Sequence, residues 1–150
     1  MYEDGKIIKQ DYAKAAKYYT TACTNLNMDG CYRIGIMYYN GKGVQQDYAK
    51  AVMAFERQKR QGDVRGYYAL GGMYAEGKGV KQDFFKAKNL FEAACNVDSA
   101  NSCYALGIMY RNGEGVRQSD TKAKELFGKA CDKGFTDGCK DYAELNKLSH

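Results

Sequence analysis

Proline and tryptophan are absent from the 150-residue sequence, and histidine occurs once. One histidine is too few for a zinc β-lactamase, whose metal is held largely by imidazole side chains. No apolar run approaches the ~18 residues that a membrane-spanning helix needs, so we expect no membrane insertion. The net charge of +5 is mild for this length, and we expect no nucleic-acid partner.

Glycine and tyrosine, in contrast, are plentiful, and many of them lie in a motif that recurs every 36 residues. Three copies begin at Met37, Met73 and Met109, and each reads Met-Tyr-x-x-Gly-x-Gly-Val-x-Gln. An eroded fourth copy begins at Met1, so we expect the chain to start in the middle of a repeat. Tandem repeats of this length predict a solenoid, because one repeat alone cannot bury its apolar face.

Each repeat contains two stretches with the apolar periodicity of an amphipathic helix. The first kind, here called B helices, is predicted at residues 11–23, 47–61, 83–96 and 119–132. Each B helix begins at a residue that can cap a helix N-terminus, namely Asp11, Asp47, Asp83 and Ser119. The second kind, the A helices, is predicted at residues 30–40, 66–76, 102–112 and 138–148.

Three columns of A-helix residues are predicted to face inward, and the third consists of Tyr38, Tyr74 and Tyr110. The first column has large side chains and consists of Ile34, Leu70, Leu106 and Tyr142. The second is mostly glycine, which would let two helix backbones approach closely, and consists of Gly35, Gly71, Gly107 and Ala143. These patterns predict an all-α fold, an α/α superhelical solenoid with about four helix pairs in a single domain over residues 1–150. The last A helix, near residues 138–148, is polar and is expected to close the stack as a terminal cap.

The six cysteines form three pairs with a spacing of eight residues: Cys23 and Cys31, Cys95 and Cys103, and Cys131 and Cys139. Lys59 and Tyr67 occupy the equivalent positions of the remaining repeat, so both members of that pair are lost together. Joint loss favours three local disulfide bonds, since a single survivor would be a free thiol. Buried free thiols and a zinc site are the alternatives, although zinc needs groups of four ligands. We expect the repeat without cysteines to have the lowest local stability in the solenoid and to open first.

The run from Leu70 to Ala87 reads Leu-Gly-x-x-Tyr-x-x-Gly-x-Gly-Val-x-x-Asp-x-x-Lys-Ala and resembles the Sel-one-like repeat, a relative of the tetratricopeptide repeat. The paired cysteines narrow the resemblance to the Helicobacter cysteine-rich protein family, whose members are secreted bacterial repeat proteins. The resemblance implies a secreted or periplasmic scaffold that binds a protein or a peptidoglycan-type ligand in its concave groove. It also implies an alternative, because that family has been associated with penicillin binding and β-lactamase activity.

A serine β-lactamase needs a Ser-x-x-Lys element together with Ser-Asp-Asn and Lys-Thr-Gly elements. Ser119 and Lys122 have the first spacing, but Ser119 lies in the helix-capping column and Lys122 in a column of repeated lysines. The other two elements do not occur in the sequence. We therefore predict no catalytic, cofactor-binding or metal-binding residues, and an enzymatic activity rests on the resemblance alone.

Two further patterns are better explained by structure than by ligand binding. The Gly-x-Gly turns lack the spacing of a phosphate-binding loop and recur once per repeat. A basic cluster in the repeat without cysteines is expected to be a solvated face rather than a nucleic-acid surface: Arg57, Lys59, Arg60 and Arg65.

The outer faces of the A helices supply the candidate ligand-binding residues. Residues at i, i+4 and i+7 share one face of each helix, away from the inward columns. The three trios are Tyr32, Ile36 and Tyr39, then Tyr68, Gly72 and Ala75, then Tyr104, Ile108 and Arg111. Tyrosine favours binding surfaces because it offers a large ring with a polar tip. The alternative is that the leading tyrosines only pack between neighbouring A helices. We expect the protein to act as a monomer.

Overall fold

The computed structural model describes residues 2–148 and, from residue 9 onward, their side chains. Regular structure in this range is entirely helical, and consecutive helices pack against one another. The eight helices described are α1 (Tyr2–Thr24), α2 (Met28–Asn40), α3 (Tyr48–Arg60), α4 (Val64–Glu76), α5 (Phe84–Asn96), α6 (Ala100–Asn112), α7 (Asp120–Asp132) and α8 (Thr136–Leu148). The odd-numbered helices are the B helices and the even-numbered ones the A helices, so the predicted all-α solenoid is confirmed.

The repeated polar and glycine residues set the helix ends. Asp47 caps α3 by accepting a hydrogen bond from the Lys50 backbone N–H, and Asp83 and Ser119 cap α5 and α7 in the same way. The first glycine of each Gly-x-Gly turn ends an A helix in the left-handed region, where glycine carries no Cβ penalty. The φ values are 70°, 68° and 71° at Gly41, Gly77 and Gly113.

The first copy of the motif does not form this turn. The second glycine of the turn has positive φ and approaches a backbone carbonyl, so that a Cβ on Gly79 would lie 2.6 Å from the Tyr48 oxygen. Ile7 occupies the corresponding position, and a β-branched residue does not adopt that conformation without strain. Helix α1 therefore runs from Tyr2, and the prediction that Asp11 starts a helix is wrong. Met1 lies outside the described residues.

The core is built from B-helix phenylalanines that lie over A-helix glycines. A Cβ on Gly35 would meet Phe55 at 2.5 Å, and the pairs Gly71–Phe91 and Gly107–Phe127 repeat this arrangement at 2.6 Å. The three phenylalanines are 2%, 4% and 0% exposed. The glycine column therefore makes room for an aromatic ring, whereas the sequence pattern predicted an approach of two helix backbones. Full burial of each ring stabilises the fold by ~2–3 kcal/mol.

The last helix departs from the predicted inward columns. Tyr142 is 39% exposed and Ala143 is also exposed, while Leu145 is 8% exposed. Leu145 packs with Ala123 and Phe127 of α7. Contact with α7 therefore decides which face of α8 is buried, and the prediction that Tyr142 faces inward is wrong.

Disulfide bonds join the end of a B helix to the start of the next A helix in three repeats. The Cα atoms of the bonded pairs lie 4.4 Å apart for Cys23–Cys31, 4.6 Å for Cys95–Cys103 and 4.7 Å for Cys131–Cys139. In the described residues no cysteine is free. Each bond closes a loop of about nine residues, which in the chain-entropy model is worth about 2.5 kcal/mol.

A polar network occupies the corresponding place in the repeat without cysteines. Gln58 near the end of α3 is fully buried and donates a hydrogen bond to Asp63 Oδ2 at 3.0 Å. Asp63 caps α4 and accepts two further hydrogen bonds from the Arg65 guanidinium, at 3.1 and 2.8 Å. Burial raises the pKa of Asp63, but the hydrogen bonds from Arg65 and Gln58 outweigh it and lower that pKa. A hydrogen-bonded link thus joins α3 to α4 where a disulfide joins the other pairs.

Candidate functional site

A groove of about 600 Å³ runs along the A helices α2, α4 and α6. Its walls are largely apolar, which suits a binding surface that excludes water from a partner. Of the eight residues other than Gly72 in the predicted trios, six line it: Tyr32, Ile36, Tyr39, Tyr68, Ala75 and Ile108. Gly72 of the middle trio lines it as well.

The centre of the groove contains an open space above Gly72. A Cβ built on Gly72 would meet no atom within 4 Å, in contrast to the neighbouring Gly71, whose Cβ would clash with a phenylalanine ring. The same column holds Ile36 in the preceding repeat and Ile108 in the following one, and both line the groove. We call the space above Gly72, between these two isoleucines, the Gly72 notch.

The three leading tyrosines have different surroundings. The Arg65 guanidinium covers the Tyr32 ring at 4.9 Å from its centroid and is itself tied to Asp63 and Asp29. Tyr68 packs against Phe91 with ring centroids 5.9 Å apart, yet it stays 40% exposed. Partial burial, with Tyr32 and Glu76 nearby, raises the pKa of Tyr68, so its hydroxyl is neutral at physiological pH. Tyr68 is therefore the ring most available to a partner.

Tyr104 and Arg111 are not among the residues that line this groove. The Tyr104 hydroxyl donates to Asp141 Oδ2 at 2.7 Å, and its ring lies 4.8 Å from that of Phe135. Burial together with the hydrogen bond to Asp141 raises the pKa of Tyr104 to about 12. Arg111 lies 3.6 Å from the same Asp141 carboxylate and 5.5 Å above the Phe127 ring. Both side chains contact Asp141 of α8, and their role in ligand binding stays a prediction.

Tyr39 lines the groove and forms a cluster with a lysine of the next repeat. Lys78 Nζ donates to Tyr39 Oη at 2.9 Å and lies 2.7 Å from a Glu76 carboxylate oxygen. The ammonium group also lies over the rings of Tyr39 and Tyr48, at 5.1 and 5.7 Å. The hydrogen bonds to Glu76 and then to Tyr39 raise the pKa of Lys78. The charges of Lys78 and Glu76 are therefore matched within the protein.

Besides Glu76, sequence reasoning missed a second acidic residue of the groove, Glu114. It is half-buried, lines the groove, and accepts a hydrogen bond from the Asn112 amide at 3.1 Å. The two preceding Gly-x-Gly turns carry Lys42 and Lys78 at this position, so the charge is reversed in the third turn. That reversal is the available signal, although the periodicity of the glycine turns predicts a structural role for all of them.

Ser119 and Lys122, the one pair with serine β-lactamase spacing, have structural contacts. Ser119 Oγ accepts a hydrogen bond from the Lys122 backbone N–H at 3.1 Å, as expected of a helix cap. The Lys122 ammonium group lies 5.9 Å from the centroid of the Tyr110 ring. Lys50 and Lys86 lie over Tyr38 and Tyr74 in the same way, so this contact occurs in three repeats.

The family model described as the Sel1 repeat matches residues 1–25, 29–57, 64–99 and 100–135. The chain belongs to the Sel1 repeat family. No curated protein matches the Sel1 chain. Within residues 2–148, no helix combines the length and the apolar character that crossing a membrane requires.

Solved structures of Sel1 repeat proteins are similar to this chain. A protective antigen of uropathogenic Escherichia coli with an SLR fold has a TM-score of 0.88 and 30% identity over 92% of this chain and 30% of its own. A Sel1 repeat protein from Oxalobacter formigenes has a TM-score of 0.87 and 25% identity over 100% of this chain and 61% of its own. The Sel1 chain thus spans less than two thirds of either protein.

A third similar structure is named for its cysteine content. Helicobacter pylori cysteine rich protein B has a TM-score of 0.68 and 30% identity over 89% of this chain and 96% of its own. The predicted resemblance to that family is therefore confirmed at the level of fold and sequence.

Proposed function

We infer that this Sel1 chain is a binding scaffold that holds a segment of a partner protein in the groove along α2, α4 and α6. The observation that carries the proposal is an apolar groove with an exposed aromatic ring, Tyr68, beside the unfilled Gly72 notch. Solenoids present such surfaces on rigid helices, so little ordering free energy is lost by the scaffold when a flexible segment binds.

We also propose that the protein works in a secreted or periplasmic setting. Disulfide bonds persist in oxidising compartments and are rare where thiols are kept reduced. Three of the four B–A junctions in the described chain carry one. Nothing comparable supports the β-lactamase alternative, because the only Ser-x-x-Lys pair is used to cap α7.

The proposal can be tested with a phage-displayed library of random peptides panned against the oxidised protein. Selected peptides, synthesised with a fluorophore, should bind the wild type, and Tyr68→Ser should weaken them about tenfold or more. Met53→Ser is the matched control, since Met53 is 63% exposed but is not among the residues that line the groove. Thermal melts of both variants check that they fold.

Two outcomes would overturn the proposal. One is the absence of any peptide that binds, and the other is a set of peptides whose binding is indifferent to Tyr68→Ser. Muramyl dipeptide is titrated in parallel as a peptidoglycan-type probe. If it binds through Tyr68 while no peptide does, the ligand is a cell-wall fragment and not a protein segment.

A further inference from the structure

We propose that the groove selects a partner segment with one bulky apolar side chain near a lysine or arginine. The apolar side chain would fill the Gly72 notch, and the cation would pair with Glu114. This inference rests on the proposed peptide-binding function and specifies the chemistry of the bound segment.

The notch is a local loss of side-chain volume in an otherwise continuous apolar wall. Ile36 and Ile108 supply a branched side chain at this column, and Gly72 supplies none. Ala69 and Ala75, one turn away on either side along α4, are also small and line the groove. A leucine, isoleucine, methionine or phenylalanine of a partner can therefore occupy the place that an isoleucine takes in the neighbouring repeats, with apolar contact on both sides.

The charge at the notch follows from the register of the repeats. Lys78 contacts Tyr39, a residue 39 positions earlier in the chain. Glu114 is the equivalent of Lys78 in the next repeat, and the residue 39 positions before it is Ala75. Both Glu114 and Ala75 line the groove. Ala75 has neither the hydroxyl nor the ring with which Tyr39 holds Lys78. Glu114 is therefore left available to a partner beside the notch.

Glu114 is also the charged groove residue without an ion-pair partner among the described residues. Arg65 is paired with Asp63 and Asp29, and Glu76 is paired with Lys78. Glu114 receives only the neutral amide of Asn112 in the described contacts. The groove therefore carries an uncompensated negative charge although the whole chain carries +5, and its charge complement is a cation.

The test compares the peptides that the library selects with two variants that restore the repeat pattern. Gly72→Ile introduces the residue found at this column in the flanking repeats and should weaken selected peptides about tenfold or more. Its Cβ meets nothing within 4 Å, so the variant should fold. Gly72→Ala, which fills little of the notch, should have a much smaller effect. Replacing the apolar anchor of the peptide by alanine should weaken wild-type binding and leave Gly72→Ile almost unchanged.

Glu114→Lys tests the charge, since lysine is the residue of the other two turns. The variant should weaken peptides that contain lysine or arginine and bind better when that residue is changed to glutamate. The difference should shrink in high salt, because ions screen charges that face water. Glu125→Lys on α7 is the control with the same charge change at an exposed site that does not line the groove.

The outcomes separate this inference from the function on which it rests. Peptides that depend on Tyr68 but show neither an apolar anchor nor a basic residue, and are indifferent to both variants, would overturn the inference and leave the peptide-binding function standing. The absence of any peptide that depends on Tyr68 would overturn both. A shared apolar-plus-basic pattern that is lost in Gly72→Ile and inverted in Glu114→Lys would establish it.

Discussion

The Phe91 ring lies 2.6 Å from the place that a Cβ on Gly71 would occupy, whereas the same atom on Gly72 would meet open space. Two adjacent glycines of one helix thus have opposite roles. Gly71 is required by the core, because the ring fills the room that it leaves. Gly72 is not required by the core, and its missing side chain shapes the groove.

Substituting each glycine by alanine should separate these roles. Gly71→Ala should lower the free energy of unfolding by about 1–3 kcal/mol, the usual cost of overpacking a core. Gly72→Ala should raise it by as much as ~1 kcal/mol, because alanine is the better helix former. Urea unfolding followed by circular dichroism measures both. Equal losses in the two variants would mean that Gly72 is also packed, and the notch would not exist.

The polar network in the repeat without cysteines predicts that loss of the Asp63 cap lowers the free energy of unfolding more than loss of an ordinary helix cap does. Asp63→Ala removes the cap of α4 and also leaves the buried Gln58 amide without its acceptor. We expect a loss of about 2–4 kcal/mol, of which ~1 is the cap and the rest the unsatisfied amide. Asp47→Ala is the matched control, because Asp47 caps α3 without a buried partner and should cost only ~1 kcal/mol. Similar losses for the two variants would show that Gln58 and Asp63 are not coupled.

The same network predicts that the free energy of unfolding decreases at acidic pH. The pKa of Asp63 is lower in the folded chain than its ordinary value of 3.8. A depressed pKa stabilises the fold fully above the unfolded value, and this contribution is lost as the pH falls through the folded value. Urea unfolding between about pH 5 and 2 should therefore show a steeper loss for the wild type than for Asp63→Asn, which can still cap α4 but does not titrate. Parallel curves would contradict this role of Asp63.

Hydrogen exchange before and after reduction tests the low local stability predicted for the repeat without cysteines. In the oxidised protein, amides at residues 57–68 should exchange faster than those at 93–104 and 129–140, which lie around disulfide bonds. Reduction should accelerate exchange at the latter two segments and leave 57–68 nearly unchanged, because hydrogen bonds rather than sulfur join α3 to α4. If residues 57–68 respond to reduction as strongly as the others, the network does not act as a local link.

The fold could be predicted from the sequence because each structural element recurs in several repeats. One copy of a Gly-x-Gly turn is weak evidence, but three copies in register identify the helix ends on both sides. The first copy shows the limit of that reasoning, since Ile7 removes the turn and moves Asp11 into a helix interior. A single substitution at a position with positive φ outweighed the resemblance of the remaining residues.

The groove could be predicted from the sequence only in part, for a different reason. Helix periodicity identified the face that carries Tyr68 and Ile108, since the spacing within one helix determines which side chains share a face. It did not show that Asp141 of α8 contacts both Tyr104 and Arg111, because this contact joins residues more than 29 positions apart. Glu114 was missed because it lines the groove together with residues of the preceding repeat such as Ala75, and only the stacking of the solenoid brings the two repeats together.

The measurement that tests the binding claim most directly is an NMR titration of the oxidised, ¹⁵N-labelled protein with a peptide selected from the library. Perturbed amides should cluster at Tyr68, Gly72, Ala75 and Ile108, all of which line the groove. Met53 and Phe85, which are 63% and 60% exposed and do not line it, should keep their shifts. Perturbations centred on Met53 and Phe85, with the groove amides unmoved, would contradict the assignment of the groove as the binding site.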